Sequence, residues 1–288
     1  MSARQNSNYE AENSTSLCGL IQSSNASKRW GECFFLIYSC FWVALMALVV
    51  LTQLYEFFES IHYVLFASFI ALPAWVVPLL IPGCVDEDLP LSSRYVFKAN
   101  VYIAVLAITA NYFYTHYFYR LLDVRYVGPL APGRGLSLNG VPISMYIMTH
   151  PYFCLYHTVA SATLRVQRRL CDRYLGGKWL KSILTALLLG MFCTSVAFME
   201  TWTISSFPYY TYKSPARMFT VGTIFYALLF LVTFPMFSRL DEGKFESWTM
   251  GRVVVEALAT MMLVLWVADL WRIAFMPAAR IVLPPMPY

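Results

Sequence analysis

The chain has 288 residues, of which 59% are hydrophobic, 17% aromatic and only 13% charged, with a net charge of +5. Soluble domains average about 25% charged residues, so a water-soluble globular fold is excluded and an integral membrane protein is indicated. The modest basic excess gathers between Arg165 and Lys181, where it fits membrane topology and contact with lipid head groups and not nucleic acid.

In chain order, residues 1–27 are rich in Ser and Asn and poor in hydrophobics, which predicts a disordered cytosolic tail. No cleavable leader is visible there, so the first apolar helix is expected to act as its own signal anchor. Asn13-Ser14-Thr15 and Asn25-Ala26-Ser27 fit the glycosylation sequon, which a cytosolic tail leaves unmodified. Residues 28–288 then read as a single transmembrane helical domain without internal repeats. Apolar runs at 33–55, 63–83, 99–119, 135–164, 182–199, 218–238 and 253–275 are each close to or above the roughly 18–20 residues that span the hydrocarbon core as a helix. The expected fold class is all-α, a polytopic membrane bundle of seven transmembrane helices. Pro73, Pro78 and Pro82 predict kinks in the second helix and Pro151 in the fourth. Fourteen of the 21 Lys and Arg residues fall on the N-terminal side of this topology, which by the positive-inside rule puts the N-terminus in the cytosol. The seven cysteines are an odd number, and Cys33, Cys40, Cys154 and Cys193 fall within helices, so no disulfide framework is implied. No Cys-x-x-Cys or His-x-x-His spacing suggests a metal site.

A helix rises about 1.5 Å per residue. On that scale Asn111 and His116 of the third helix, His150 and His157 of the fourth, Glu200 of the fifth and Asp269 of the seventh all fall in one half of the bilayer. This shared depth predicts a single site. Its focus is the stretch 198–210, Phe-Met-Glu-Thr-Trp-Thr-Ile-Ser-Ser-Phe-Pro-Tyr-Tyr, where one carboxyl group ends an apolar run and an aromatic, hydroxyl-rich collar follows. Carboxyl groups are costly in hydrocarbon and are seldom placed there without a task. Loss of water disfavours the charged form, so Glu200 is a candidate neutral acid; a pair with a loop base such as Arg217 is the alternative. His150 and His157, two turns apart, suit either hydrogen bonds to neighbouring helices or proton transfer. His116 lies in an aromatic run, 111–119, that also reads as an interfacial belt. Asp269 and Arg272, three apart, read as an ion pair or as part of the site. An apolar cavity with few titratable groups suits a greasy polycyclic or chain-like substrate taken from the bilayer, with proton transfer as its chemistry and aromatic faces to steady a carbocation.

Several segments then share an order. They are Ser27-Lys28-Arg29-Trp30-Gly31-Glu32, Lys98-Ala99-Asn100, Thr115-His116-Tyr117-Phe118, Thr149-His150 through Tyr156-His157, Glu200-Thr201 with Phe207-Pro208-Tyr209-Tyr210, Phe225-Tyr226, Phe234-Pro235-Met236-Phe237 with Asp241-Glu242, and Asp269-Leu270-Trp271-Arg272. Together they resemble the cycloeucalenol cycloisomerase family of phytosterol synthesis, over about residues 27–272. The resemblance implies an isomerase that opens the 9β,19-cyclopropane ring of a sterol by protonation at carbon 19, cleavage of the bond to carbon 9 and loss of the carbon 8 proton, giving an 8,9-unsaturated product such as obtusifoliol. No redox step occurs, so no cofactor is implied. Implied partners are the sterol substrate and membrane lipid, with other sterol-pathway enzymes as neighbours in the endoplasmic reticulum membrane. On this reading Glu200 is the proton donor and His116 or His150 takes or relays the carbon 8 proton, with His157 and Asp269 as further catalytic candidates. Trp202, Phe207, Tyr209 and Tyr210 face the cation and rings, and Asn111 binds the 3-hydroxyl. A retinal protein is excluded, because no Lys lies in the last apolar run. A non-catalytic sterol binder and a sterol double-bond isomerase are the rival readings.

Overall fold

The computed structural model describes residues 17–276. The segments 1–16 and 277–288, which include the sequon at Asn13 and the C-terminal Pro284–Tyr288 stretch, lie outside the described residues. Helices dominate: α1 Leu17–Ile21, α2 Ala26–Leu51, α3 Ser60–Leu80, α4 Tyr95–Thr109 continuing through a π-helical turn Ala110–Tyr114 into α5 Thr115–Leu121, α6 Ile143–Tyr174, α7 Lys178–Ser205, the short α8 Pro215–Arg217 leading through a second π-helical turn Met218–Gly222 into α9 Thr223–Ser238, and α10 Met250–Phe275. Four two-residue strands make two small ribbons: β1 Arg125–Tyr126 pairs with β4 Tyr210–Thr211, and β2 Ser137–Leu138 with β3 Val141–Pro142.

Local sequence explains the helix starts. Asn25 caps α2 by accepting the Lys28 backbone N–H, Thr249 does the same for Arg252 in α10, and Glu59 with His62 closes a capping box on α3. The expected tail ends sooner than residue 27, because α1 packs against α6. Arg169 donates to the Gly19, Leu20 and Gln22 carbonyls and Arg165 to that of Ile21. Asn25, read as a sequon, instead donates its amide to the Gly243 and Glu246 carbonyls.

Among the described residues, six helical segments are long and apolar enough to cross a membrane: Ala26–Leu51, Ser60–Leu80, Tyr95–Leu122, Lys178–Ser205, Pro215–Ser238 and Met250–Phe275. The protein is a polytopic membrane helical bundle, but the expected count of seven apolar spans is not reproduced. The fourth run, 135–164, begins as a loop with the β2–β3 ribbon, and α6 then continues as helix through the basic residues Arg165, Arg168, Arg169 and Arg173 that read as a loop. Polar content removes α6 from the apolar set. Its position compensates, since α6 packs against α1, α2, α3, α4, α7 and α9, so His150, His157, Thr158, Ser161 and Arg165 are buried and meet protein and not lipid. Pro151 lies within continuous helix. By contrast α7 turns Leu187, Met191 and Phe198 outward, as a lipid-facing helix does.

One end of the bundle is tied by charge. Arg165 donates from Nε and Nη2 to Glu242 (2.7 and 3.0 Å) and from Nη2 and Nη1 to Glu32 (2.7 and 3.1 Å). Lys28 pairs with Glu242 at 2.8 Å and donates to the Ser238 and Leu240 carbonyls, while Lys98 pairs with Asp241 at 2.7 Å. Just beyond the helices, Glu242 is disfavoured as an anion by burial, but Arg165 and Lys28 outweigh that and hold its carboxyl down to about 2. Aromatic rings fill the other end, where Phe207 and Tyr209 pack on Tyr55, and Tyr209 also meets Tyr63 edge to face.

Candidate active site

Glu200 sits in the last two turns of α7, and its partner is not Arg217. Tyr156 of α6 donates its hydroxyl to Glu200 Oε2 at 2.5 Å, the short spacing of a hydroxyl on a carboxyl oxygen. Four more tyrosines, Tyr126, Tyr152, Tyr210 and Tyr226, lie within electrostatic range of the same carboxyl group. Tyr152 and Tyr156 share a face of α6 by their spacing of four. Strand register brings in the next pair: Tyr126 and Tyr210 are direct partners across the β1–β4 ribbon, with ring centroids 5.6 Å apart. Gly128 helps close this ribbon. Its φ of +63° suits glycine, and an added Cβ would lie 2.8 Å from the ring of Tyr209. Tyr226 comes from α9, which enters through the π-helical turn at Met218–Gly222, and the neighbouring Thr223 hydroxyl reaches Thr201 at 3.4 Å. Such π-helical turns are often found at functional sites.

The other expected site residues divide by location. Tyr210 joins Glu200. His116 stands at the edge of the tyrosine group: its ring meets Tyr119 edge to face at 5.4 Å, Tyr119 meets Tyr126 at 6.2 Å, and its buried Nε2 has no hydrogen-bond partner. Asn111 lies in the first π-helical turn and uses both amide hydrogens, on Ala107 O (2.8 Å) and Thr149 Oγ1 (2.9 Å), leaving its oxygen as the group open to a ligand. His150 is stacked on Trp75 and bonded through Nε2 to Asn100 Oδ1 at 2.8 Å, with Asn100 anchored on Ala74 O. His157 is fully buried between Phe234 and Phe237, its Nδ1 on the Phe153 carbonyl of its own helix and its Nε2 without a partner. Asp269 forms the ion pair with Arg272 at 2.8 Å and takes a long 3.5 Å contact from Tyr117. Trp202 is 54% exposed and turns outward, and Phe207 and Tyr209 belong to the aromatic plug with Tyr55. Shared depth is therefore not shared position, because these groups project from different faces of their helices. Among the described residues, no group of three or more His, Cys, Asp and Glu side chains is gathered as a metal site requires.

Sequence reasoning gave no site role to Tyr126, Tyr152, Tyr156 or Tyr226. A signal existed for two of them in the spacing of Tyr152 and Tyr156 on one helix, but Tyr126 is brought in by a two-residue strand that no periodicity announces.

Over 255 residues, 88% of each chain, the sequence is 40% identical to a curated protein of Arabidopsis thaliana described as cycloeucalenol cycloisomerase. The chain belongs to the cycloeucalenol cycloisomerase family. Membership makes it an isomerase, as the order of segments from Ser27 to Arg272 led us to expect. No protein-family model matches the chain, and no solved structure matches it.

Proposed function

We propose that the chain opens the 9β,19-cyclopropane ring of cycloeucalenol-type sterols to give the 8,9-unsaturated sterol obtusifoliol. Glu200 is the acid. The observation that carries this assignment is the position of Glu200, a lone carboxyl group near the end of the apolar helix α7 and surrounded by Tyr126, Tyr152, Tyr156, Tyr210 and Tyr226, surroundings that suit proton transfer to a greasy substrate. Strained cyclopropane bonds have partial π character, so protonation at carbon 19 breaks the bond to carbon 9 and leaves a tertiary cation there. Aromatic faces steady such a cation. Loss of the carbon 8 proton to a base then forms the 8,9 double bond, and once that base releases its proton and Glu200 regains one by exchange with water the enzyme is unchanged and no co-reactant is consumed. His116, with a partnerless Nε2 beside Tyr119, is the base we favour over His150, which Asn100 already engages. Asn111 Oδ1 is the acceptor we assign to the sterol hydroxyl. The sterol enters from the bilayer, and the reading includes an endoplasmic reticulum membrane with the N-terminus cytosolic.

The test is expression in membranes free of cyclopropyl sterols, feeding cycloeucalenol in deuterated water and analysing products by mass spectrometry. Obtusifoliol labelled in its carbon 19 methyl is the expected product, and Glu200→Gln lowers its formation by about 10²–10⁴-fold. Normal turnover by well-folded Glu200→Gln removes Glu200 from the role, whereas unreacted cycloeucalenol with well-folded wild-type protein removes the activity itself.

A further inference from the structure

The dipeptide Asn139-Gly140 joins β2 to β3, and the pairing of Leu138 with Val141 makes these two residues the whole loop. Their φ values are +51° and +71°. Positive φ at both positions is what a type I′ hairpin requires, and Asn followed by Gly meets that need at little cost. The ribbon is pinned from two sides. Ser60 Oγ of α3 accepts the Leu136 N–H at 3.0 Å, and Tyr146 of α6 donates its hydroxyl to Leu138 O at 3.0 Å. The turn between the two strands is therefore held against the α4–α5 segment.

There it meets one stripe of helix. Tyr112, His116 and Tyr119 follow one another at spacings of four and three and so share a face. Asn139 Nδ2 donates to Tyr112 O, within the π-helical turn, at 2.8 Å, and Tyr119 donates its hydroxyl to Gly140 O at 3.0 Å. Between these two clamps the His116 ring is hydrogen-bonded to the Asn139 backbone carbonyl. A carbonyl can only accept, so the ring nitrogen facing it carries the hydrogen. Because Nε2 is buried and has no partner, that nitrogen is Nδ1. In a neutral imidazole one nitrogen donates and the other accepts, and the bond made by the first decides the state of the second. Nε2 is then a bare acceptor, which is unfavourable in a buried place and ready to take a proton. The Tyr119 ring, edge to face with His116 at 5.4 Å, keeps the imidazole in this orientation. We propose that the Asn139-Gly140 turn, clamped by the Asn139 amide on Tyr112 and the Tyr119 hydroxyl on Gly140, positions His116 in its Nδ1–H form with Nε2 free to take the carbon 8 proton. Asn139 and Tyr119 are positioning residues that act through His116, on the reading of that histidine as the base.

Full-length protein in mild detergent, turning over cycloeucalenol with and without deuterium at carbon 8, provides the test. Asn139→Gly keeps the left-handed turn and its carbonyl but removes the amide clamp, and Tyr119→Phe keeps the ring on His116 but removes the hydroxyl clamp. The double variant is expected to melt with wild type, to lose at least about tenfold in kcat with KM nearly unchanged, and to show a larger isotope effect at carbon 8. Added to His116→Gln, the same two changes cost nothing further, because their effect passes through the imidazole. Should the double variant not fold, Tyr119→Phe alone carries the same readouts. Unchanged kcat and isotope effect, a raised KM at constant kcat, or a loss that adds to that of His116→Gln overturns the proposal. Normal turnover by His116→Gln alone is a different failure, which removes His116 as the base.

Discussion

Removing one cation at the charged end of the bundle should loosen the whole helix packing, and Arg165→Met is the change that tests this. The Arg165 side chain is 2% exposed and serves two carboxylates on different parts of the chain, Glu32 of α2 and Glu242 after α9, as well as the Ile21 carbonyl. Methionine keeps much of the length and apolar stem but leaves Glu32, itself 9% exposed, without its guanidinium partner. Glu242 retains Lys28 at 2.8 Å, so most of the penalty falls on Glu32. Breaking a buried ion pair from one side costs about 3–5 kcal/mol, whereas replacing both partners by apolar residues is often neutral. Denaturant unfolding in detergent should therefore find Arg165→Met destabilised by about 3–5 kcal/mol, and adding Glu32→Leu should restore more than half of that. Restoration is the diagnostic result, since residues that do not interact give losses that add. An Arg165→Met protein within about 1 kcal/mol of wild type, or a double variant weaker than either single one, refutes the idea that this pair ties α2 to α6.

Acid should weaken the same end through Glu242. Its carboxyl is held down to about 2 against an ordinary 4.5, so its contribution is present above about pH 4.5 and is lost as the pH falls towards 2, amounting to on the order of 3 kcal/mol. Unfolding free energies of wild type and Glu242→Gln, measured from pH 6 down to pH 3, should converge on the acid side; curves that stay parallel speak against the assignment. His157→Phe should keep both fold and turnover. It gives up one hydrogen bond within its own helix, worth about 1 kcal/mol, and relieves a buried nitrogen that has no partner, worth about 1–3 kcal/mol. Sterol product analysis beside a melting curve decides this, and a well-folded variant with about a hundredfold less turnover would place His157 in the catalytic set.

Composition and apolar runs were enough to state the class of this protein and the approximate places of its helices, because the hydrocarbon core demands long apolar segments whatever their neighbours are. Glu200 stood out by the same reasoning, as a lone carboxyl group at the end of such a run. Rotation about each helix axis, however, is set by packing. Glu200, His150, His157 and Asp269 can share a depth and still face different neighbours: only the tertiary structure gave Glu200 to Tyr156 and His150 to Asn100, whereas the spacing of Asp269 and Arg272 had already offered their ion pair. The helix α6 shows the limit from the other direction. The sequence announced a span at 135–164, but the helix that forms is too polar to stand among the apolar ones, and what covers the polar groups of its middle is the set of helices packed around it. Pairings across long stretches of chain, such as Arg165 with Glu32 or Tyr126 with Tyr210, depend on which surfaces meet when the bundle closes, and no local pattern of residues encodes that choice.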